Sequence, residues 1–334
     1  MSPRSHWLLV DGERLISYGP GEAGRNSALL LEQRGFSEYA LITTQRASRD
    51  VPQLAERARV IALAEPGLVV DVAAALREQV TGHPIVALGG GRVIDAAKAI
   101  GALERTERPE GVAAIPTTLS GAELTPIHRQ LAGTEGGPIR PSLVICDPEV
   151  MASQPLPDLA ASAMNALAHA CEARWNANGN PITDATAERG ARLLSDGLAP
   201  TTPDRDALAL GAVQAAHAFG LVGVGVHHVV CQTIVQRLGT PHAATNAVIL
   251  PHAFALMAMR EPAAISALDR AFGTDSGTRV RAAATRAGVT RLRQFGHTLD
   301  EYRALVPVML ERAELSRTPG VTEHDLLSLV EAAW

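Results

Sequence analysis

Side chains that can bind a metal ion or a substrate oxygen recur in the second half of the chain. Asn165 and His169 lie four residues apart in MNALAHACEA, which places them on one face of a helix. His228 and His242 follow, fourteen residues apart, in GVHHVVCQTIVQRLGTPH. Three histidines with an oxygen-bearing side chain resemble a metal site, but that oxygen is usually a carboxylate, and Asn165 offers a neutral amide. The pattern therefore predicts an imidazole cluster that binds metal weakly or not at all.

Three consecutive glycines in the first half of the chain form a second candidate site. Gly89, Gly90 and Gly91, here called the glycine loop, follow the apolar run PIVAL, and a helix is predicted from Arg92. Glycines let the backbone approach a pyrophosphate, and a helix N-terminus supplies free N–H groups. The loop lacks the GxGxxG pattern of dinucleotide sites, so by itself it is equally consistent with a tight turn between strand and helix.

A second loop strengthens the interpretation as a dinucleotide site. Residues 115–126, IPTTLSGAELTP, here called the threonine loop, carry the adjacent hydroxyls of Thr117 and Thr118 after another predicted strand. Ligands of open parallel sheets bind at the carboxyl ends of the strands. Thr43 ends an earlier strand, no acidic residue follows it, and Arg46 is close by. That end of the sheet could therefore accept NADPH as well as NADH, although Arg46 is equally consistent with a solvated loop residue.

The elements around these residues divide the chain near residue 155. Before it, the predicted strands are 39–43, 84–90, 111–116 and 142–147, and the predicted helices are 22–34, 65–80 and 92–103. This alternation predicts a Rossmann-like α/β domain over residues 1–155. Beyond it, helices are predicted at 158–176, 184–197, 206–222, 224–237 and 243–259, with short helices over 261–332 and with prolines, Pro251 among them, at the joins. Residues 156–334 should therefore form an all-helical domain.

Composition narrows the class of protein. The chain has 334 residues, and 46% of them are hydrophobic. Its net charge is −5, so a positively charged surface for nucleic acid is not expected. No signal peptide and no membrane-spanning run is visible. The cysteines are odd in number and lack CxxC spacing: Cys146, Cys171 and Cys231. We therefore expect a cytoplasmic enzyme with a small-molecule substrate and no nucleic-acid or membrane partner.

Motifs in order along most of the chain resemble the iron-containing alcohol dehydrogenase superfamily, and most closely the maleylacetate reductases. They are LGGGRVIDAAKAI, IPTTLSGAELTPI, VICDPE, MNALAHACEA, GVHHVVCQTI and LGTPHAATNAVILPH. The resemblance implies a Rossmann-like domain, an all-helical domain, an active site between them, an NAD(P) cofactor and a homodimer. Many members hold iron or zinc with one Asp and three His, at the positions of Asn165, His169, His228 and His242. Asparagine at the first position is typical of maleylacetate reductases, which act without a metal.

Four departures from the family pattern bear on the reaction. Arg92 replaces a serine of the family pattern. Asp95 is the residue that the alcohol dehydrogenases of the family carry at this position, whereas the maleylacetate reductases carry glycine. Leu119 and Ala122 stand where the reductases have tyrosine and serine. Gln232 replaces a histidine that lies near the nicotinamide in the family. Glutamine forms hydrogen bonds but cannot supply a proton by titration.

These observations predict an NAD(P)H-dependent reductase of maleylacetate reductase type, acting in aromatic degradation or specialised metabolism. The expected substrate is a carboxylate-bearing enone or oxo compound. Its developing negative charge would be met by His169, His228 and His242 as cationic or donor imidazoles, with Asn165 and Gln232 beside them. The predicted cofactor site consists of Gly89, Gly90, Gly91, Asp95, Thr117, Thr118 and Thr43.

Three other functions fit the same residues. The first is a metal-dependent alcohol or aldehyde dehydrogenase, because three histidines and water can hold zinc. The second is a lyase or cyclase on the same fold without net redox change, which Gln232 favours. The third is a non-catalytic binding protein, and the presence of all three cluster histidines argues against it.

Overall fold

Seven strands form one sheet in the first half of the chain, in a computed structural model that describes residues 6–104, 110–128, 131 and 137–334. The strands are β1 (Trp7–Asp11), β2 (Arg14–Tyr18), β3 (Ala40–Thr43), β4 (Val60–Leu63), β5 (Ile85–Gly89), β6 (Val112–Pro116) and β7 (Leu143–Cys146). Their order is β1-β2-β7-β6-β5-β3-β4. Only the β1–β2 pair is antiparallel.

Helices cover both faces of this sheet. They are α1 (Glu22–Arg25), α2 (Ser27–Gln33), α3 (Gln45–Asp50), α4 (Pro52–Arg57), α5 (Val69–Val80), α6 (Gly91–Leu103) and α7 (Pro148–Met151). Ile85 and Ala87 of β5 join a core with α5 and α6, whereas Val86 and Leu88 join a second core with α2 and α4. Alternate residues of β5 therefore pack into cores on opposite faces of the sheet, as expected for a parallel sheet that is buried on both faces. The Rossmann-like prediction is confirmed.

The four predicted strands all form, each within a residue or two of its predicted ends. The sequence prediction missed β1, β2 and β4. β1 and β2 form a hairpin whose turn contains Gly12 at a φ of 61°. The Asp11–Gly12 pair is a known hairpin signal, and the apolar run WLLV precedes it, but this outer strand is largely exposed.

The second half of the chain is helical throughout the part that the structure describes. Its helices are α8 (Leu156–Trp175), α9 (Pro181–Leu198), α10 (Arg205–Val222), α11 (Val226–Leu238), α12 (His242–Arg260), α13 (Pro262–Phe272), α14 (Ser276–Thr285), α15 (Leu299–Arg303), α16 (Val306–Leu310) and α17 (Glu323–Ala333). Two 3-10 helices cover Leu292–Phe295 and Ala313–Arg317. The predicted all-helical character is confirmed. Pro251 was predicted to mark a join between two helices, and this prediction is wrong, because the residue lies inside α12.

α8 is the central helix of this half and carries two of the predicted site residues. It packs against α9, α10 and α12 and is buried on almost all sides. Small residues allow this close packing: a Cβ added at Gly190 of α9 would lie 2.9 Å from the backbone nitrogen of Ala215 in α10. Polar side chains on α8 are therefore enclosed in protein rather than presented to solvent.

The chain separates into two units, Met1–Gln154 and Pro155–Trp334. No single helix among the described residues is long and apolar enough to cross a membrane. One pair, Arg205–Val222 and Val226–Leu238, bent by 95°, passes that test by length and composition only.

Candidate active site

The glycine loop and the threonine loop lie side by side at the carboxyl ends of β5 and β6. These strands are parallel neighbours, and Gly89 pairs with Pro116 in their register. The backbone N–H of Thr117 donates to the carbonyl of Gly89 at 3.0 Å. The sheet therefore brings together the two loops that the sequence predicted to share a ligand.

The contact between the two loops leaves no room for a side chain on the glycines. A Cβ at Gly90 would lie 2.9 Å from Cγ2 of Thr118, and one at Gly91 would lie 3.0 Å from Oγ of Ser120. The hydroxyl oxygen of Thr118 is buried and has no hydrogen-bond partner among the described residues. A bare backbone, an available hydroxyl and the start of the thirteen-residue helix α6 suit a pyrophosphate group. These residues fit a nicotinamide dinucleotide.

Lys98, which the sequence analysis did not single out, ties the threonine loop to α6. Its fully buried Nζ contacts the carboxylate of Asp95 at 2.8 Å. It also donates to the carbonyls of Ala122 at 2.9 Å and Ile127 at 2.5 Å. All three of its N–H groups are thereby engaged. Asp95, a predicted cofactor ligand, is in this structure the partner that fixes Lys98.

Glu123 of the threonine loop is a buried carboxyl group. Apart from its own backbone N–H, neither side-chain oxygen has a hydrogen-bond partner among the described residues. Burial raises its pKa from 4.5 to about 7, and the charge of Lys98 offsets only part of this effect.

We expect the substitution Glu123→Gln to change how stability depends on pH. The folded pKa of Glu123 lies above its unfolded value, so the protonated side chain favours the folded state below pH 4.5, and this contribution is lost as the pH rises through 7. Between pH 4.5 and pH 7, the free energy of unfolding of the variant should therefore rise relative to that of the wild type, by about 3 kcal/mol at most. Urea unfolding of both proteins at several pH values measures the difference. A difference that does not change with pH would contradict the raised pKa.

The third predicted part of the cofactor site, at the end of β3, is less open. Thr43 is fully buried, and its hydroxyl lies 3.4 Å from the carbonyl of Thr44. Thr44 caps α3 by accepting from the N–H of Ala47, and Arg46 is half-buried in the first turn of α3. Contact of Thr43 with a cofactor stays a prediction.

In the helical half, α8 and α11 bring His169 and His228 into direct contact. Their rings stack with centroids 4.8 Å apart, and Phe219 of α10 lies 4.4 Å from the first ring and 4.7 Å from the second. Asn165 is buried one turn before His169 on α8. Two of the predicted site histidines therefore lie in contact, beside an aromatic side chain that the sequence did not indicate.

Glu172, also absent from the sequence prediction, anchors His228. Its carboxyl oxygen Oε2 lies 2.5 Å from Nδ1 of His228, and Oε1 accepts from the backbone N–H of the same residue at 3.3 Å. Nε2 of His228 has no hydrogen-bond partner among the described residues. This arrangement fixes the ring and leaves one nitrogen for a ligand. Glu172 follows His169 by three residues on α8, but its partner is 56 residues away, so spacing alone does not reveal the pair.

Burial keeps the cluster histidines neutral. It lowers the pKa of His228 to about 3 and that of His169 well below its ordinary value, and neighbouring histidines lower both further. Burial also raises the pKa of Glu172 to about 7. Of the two predicted roles, cationic or donor imidazole, burial favours the neutral donor.

His242 occupies a different environment from the other two. It is the exposed first residue of α12, close enough that its charge would lower the pKa of His169 and His228. His227, the neighbour of His228 on α11, is buried, and its Nε2 lies 2.8 Å from Oδ1 of Asn246. His252 is half-buried on α12.

Gln232 lies one turn after His228 on α11 and holds an arginine. Its Oε1 accepts from Nη2 of Arg312 at 2.8 Å. The same guanidinium group pairs with Glu314, at 2.8 Å from Nη2 and 3.3 Å from Nε. Arg312 precedes the 3-10 helix Ala313–Arg317, which packs against α11. No sequence motif indicates Arg312, which stands 80 residues from Gln232.

The cluster does not fit a divalent metal ion. The position that would carry the carboxylate is the amide of Asn165, and the stacked rings of His169 and His228 lie face to face rather than converging on one point. Among the residues that the structure describes, no group of three or more His, Cys, Asp or Glu side chains is arranged to hold a metal.

Restoring the carboxylate should raise metal affinity. We expect wild-type protein, dialysed against a mild chelator, to retain far less than one Fe or Zn per chain, and Asn165→Asp to retain more. Asn165→Asp with His228→Ala is the control, and it should return to the wild-type level. Metal content by mass spectrometry measures this. Stoichiometric metal that survives dialysis in the wild type would show that the cluster is a metal site.

Comparison with known proteins identifies the family. Residues 18–148 match the description "Iron-containing alcohol dehydrogenase", and residues 159–318 match "Fe-containing alcohol dehydrogenase family, C-terminal". The chain belongs to the iron-containing alcohol dehydrogenase family.

Individual relatives include several maleylacetate reductases, as the motifs predicted. Maleylacetate reductase 1 of Rhodococcus opacus is 34% identical over 229 residues, which is 64% of this chain and 62% of that enzyme. The Rhizobium sp. (strain MTP-10005) enzyme is 32% identical over 77% of this chain and 78% of its own length. The chain thus spans about three fifths of some curated relatives and more of others.

Solved structures share the fold over almost the full length. The maleylacetate reductase of Agrobacterium tumefaciens has a TM-score of 0.80 and 29% identity, covering 100% of this chain and 99% of that one. An iron-containing alcohol dehydrogenase of Corynebacterium glutamicum has a TM-score of 0.83 and 28% identity, covering 95% and 94%. Both resemble the chain in fold, and one of them shares the predicted reaction type.

Proposed function

We propose that the chain is an NAD(P)H-dependent reductase of maleylacetate reductase type, acting on an enone or oxo substrate that carries carboxylates. The observation that carries this proposal is His228, buried and anchored through Nδ1 by Glu172, with Asn165 in place of a metal-binding carboxylate. This combination suits stabilisation of a substrate oxygen by hydrogen bonds and disfavours a metal ion. Its maleylacetate reductase relatives support the choice of substrate.

We assign cofactor binding to the unit Met1–Gln154 and substrate chemistry to Pro155–Trp334. When bound, the reduced nicotinamide would supply the hydride. His228 would donate its Nε2–H to the substrate oxygen while Nδ1 accepts a hydrogen bond from the protonated carboxyl group of Glu172, whose pKa burial raises to about 7. As the Nε2 proton passes to the substrate oxygen, the proton of Glu172 would pass to Nδ1, so the ring stays neutral. His169, stacked on His228, would shield it from water, and Phe219 would complete this apolar wall.

Cofactor oxidation in the presence of maleylacetate tests this function. We expect loss of absorbance at the reduced nicotinamide band with NADH, NADPH or both, at a rate that a chelator does not change. Comparison of the two cofactors also tests whether Arg46 accepts a 2′-phosphate. No reaction with maleylacetate under either cofactor would overturn the proposal.

The two catalytic alternatives predict different results in the same assay. A metal-dependent alcohol dehydrogenase would oxidise simple alcohols with NAD(P)+ only after Fe²⁺ or Zn²⁺ is added. A lyase or cyclase would convert its substrate with no net change in NAD(P)H. Gln232 favours the latter, because it can bind a substrate but cannot supply a proton.

We further propose a cytoplasmic homodimer. The three cysteines are free and buried, as in a reducing compartment. β1 is an edge strand with exposed apolar side chains, Leu8 at 63% and Val10 at 73%, and a second copy of the chain would cover them. Light scattering after gel filtration tests the dimer, and a monomer at micromolar concentration would contradict it.

A further inference from the structure

A substrate that carries carboxylates needs a positive charge in the site, and the histidine cluster does not provide one. His169 and His228 are buried and neutral near pH 7. Neutral imidazoles donate or accept hydrogen bonds, but they do not attract an anion over distance. A fixed cation must therefore come from another residue if the proposed function is right.

Arg312 lies next to the face of α11 that carries His228. His228 and Gln232 are one helical turn apart and point to the same side of α11. The Nη2 group of Arg312 is only 2.8 Å from Oε1 of Gln232. The positive charge of Arg312 also contributes to the low pKa of His228, which places the two groups within electrostatic reach.

The hydrogen bonds of Arg312 leave one end of its guanidinium group available. Glu314 accepts from Nε and Nη2, and Gln232 accepts from Nη2. None of the described residues accepts from Nη1, and the side chain is 18% exposed. Two N–H groups on one fixed nitrogen are thus free to bind a carboxylate oxygen.

The surrounding charges favour an anion at this position. Hydrogen bonds from Arg312 lower the pKa of Glu314, so this carboxylate is ionised. Arg317 lies close enough to lower it further. Around Glu314 itself, Arg312 and Arg317 therefore provide two positive charges against one negative charge. Glu314 itself would then orient Arg312 rather than compete with a substrate for Nη1.

We propose that Arg312, oriented by Gln232 and Glu314, binds a carboxylate of the substrate beside His228. This inference rests on the proposed function, because it names the group that recognises the substrate's charge. It also accounts for Gln232: a neutral amide oxygen at this position accepts a hydrogen bond from Arg312, whereas a cationic histidine would repel it. Arg312 would therefore determine specificity for anionic substrates.

Two matched variants distinguish substrate binding from a structural ion pair. Arg312→Gln removes the cation, whereas Glu314→Gln removes its partner and keeps the cation. If Arg312 binds a carboxylate, Arg312→Gln should raise the KM for maleylacetate roughly tenfold to 100-fold. Glu314→Gln keeps the cation and loses only part of its orientation, so the KM should rise much less, by about threefold. Neither variant should change the affinity for NADH. If Glu314→Gln raised the KM as much as Arg312→Gln does, the charge of Arg312 would not be what binds the substrate, and the inference would be overturned.

Binding of fumarate, a dicarboxylate probe, separates this inference from the proposed function. Calorimetry with wild-type protein, Arg312→Gln and Glu314→Gln needs no turnover. If the wild type binds fumarate through Arg312 but does not reduce maleylacetate, the inference stands and the proposed reaction is wrong. If it reduces maleylacetate with a KM that Arg312→Gln leaves unchanged, the reaction stands and the inference is overturned. Neither turnover nor fumarate binding in the wild type would overturn both.

Discussion

Replacing Gly90 with valine is expected to abolish binding of NADH and NADPH while leaving the fold intact. Gly90 has a φ of −77°, which any residue can adopt, so the effect is steric and not a matter of backbone strain. A Cβ here would meet Cγ2 of Thr118 at 2.9 Å and its Oγ1 at 3.3 Å. The branched valine would therefore push the threonine loop away from the start of α6 and destroy the pyrophosphate site.

Fluorescence titration with both cofactors measures this loss, and circular dichroism checks the fold. Gly24→Val is the matched control, because Gly24 is exposed on α1 and a Cβ there meets nothing within 4 Å. It should bind both cofactors as the wild type does. Unchanged cofactor affinity in folded Gly90→Val protein would refute the placement of the cofactor on the glycine loop.

Replacing His228 with alanine should reduce turnover far more than replacing Gln232 with alanine. A positioned acid or hydrogen-bond donor typically contributes about 10²–10⁴ in rate, and Nε2 of His228 is the cluster nitrogen whose ring is held by Glu172. Gln232 cannot supply a proton, and its described contact is with Arg312. Its loss should therefore appear mainly in KM.

Steady-state kinetics with maleylacetate separates kcat from KM for each variant. His252→Ala is the control, because His252 is half-buried on α12 and no ring contact joins it to the cluster. It should keep near wild-type turnover. If Gln232→Ala removed all activity while His169→Ala and His228→Ala retained it, the proton route would be wrong and the lyase or cyclase interpretation would be preferred.

Much of the first half could be predicted because its strands are buried on both faces. β5 reads as an unbroken apolar run closed by glycine, and its pattern identifies it without any tertiary information. β4, VIAL, is an apolar run of the same kind, yet it lies at the edge of the sheet with Ile61 and Leu63 exposed. Local pattern records residue type and not burial, so it does not distinguish a strand at the edge of the sheet from a central one.

In the helical half, the candidate site residues could be predicted from the sequence, but their contacts and burial could not. Spacing placed Asn165 and His169 on one helix face, and the structure agrees. The neutrality of His228 arises from burial by α8 and α10, and its anchor Glu172 comes from another helix. Arg312 reaches Gln232 across 80 residues of sequence. Such pairings depend on how helices pack, which no short segment encodes.

A nucleotide that arrives at the carboxyl edge of the sheet meets a surface that is already assembled. The ammonium group of Lys98 joins Asp95 of α6 to the carbonyls of Ala122 and Ile127 before any ligand is present. Ordering a flexible residue costs about 1–2 kcal/mol, and this cost is met during folding rather than during binding. If the cofactor binds on the glycine loop as proposed, the contacts of Lys98 should reduce the rearrangement that binding requires and lower its entropy cost.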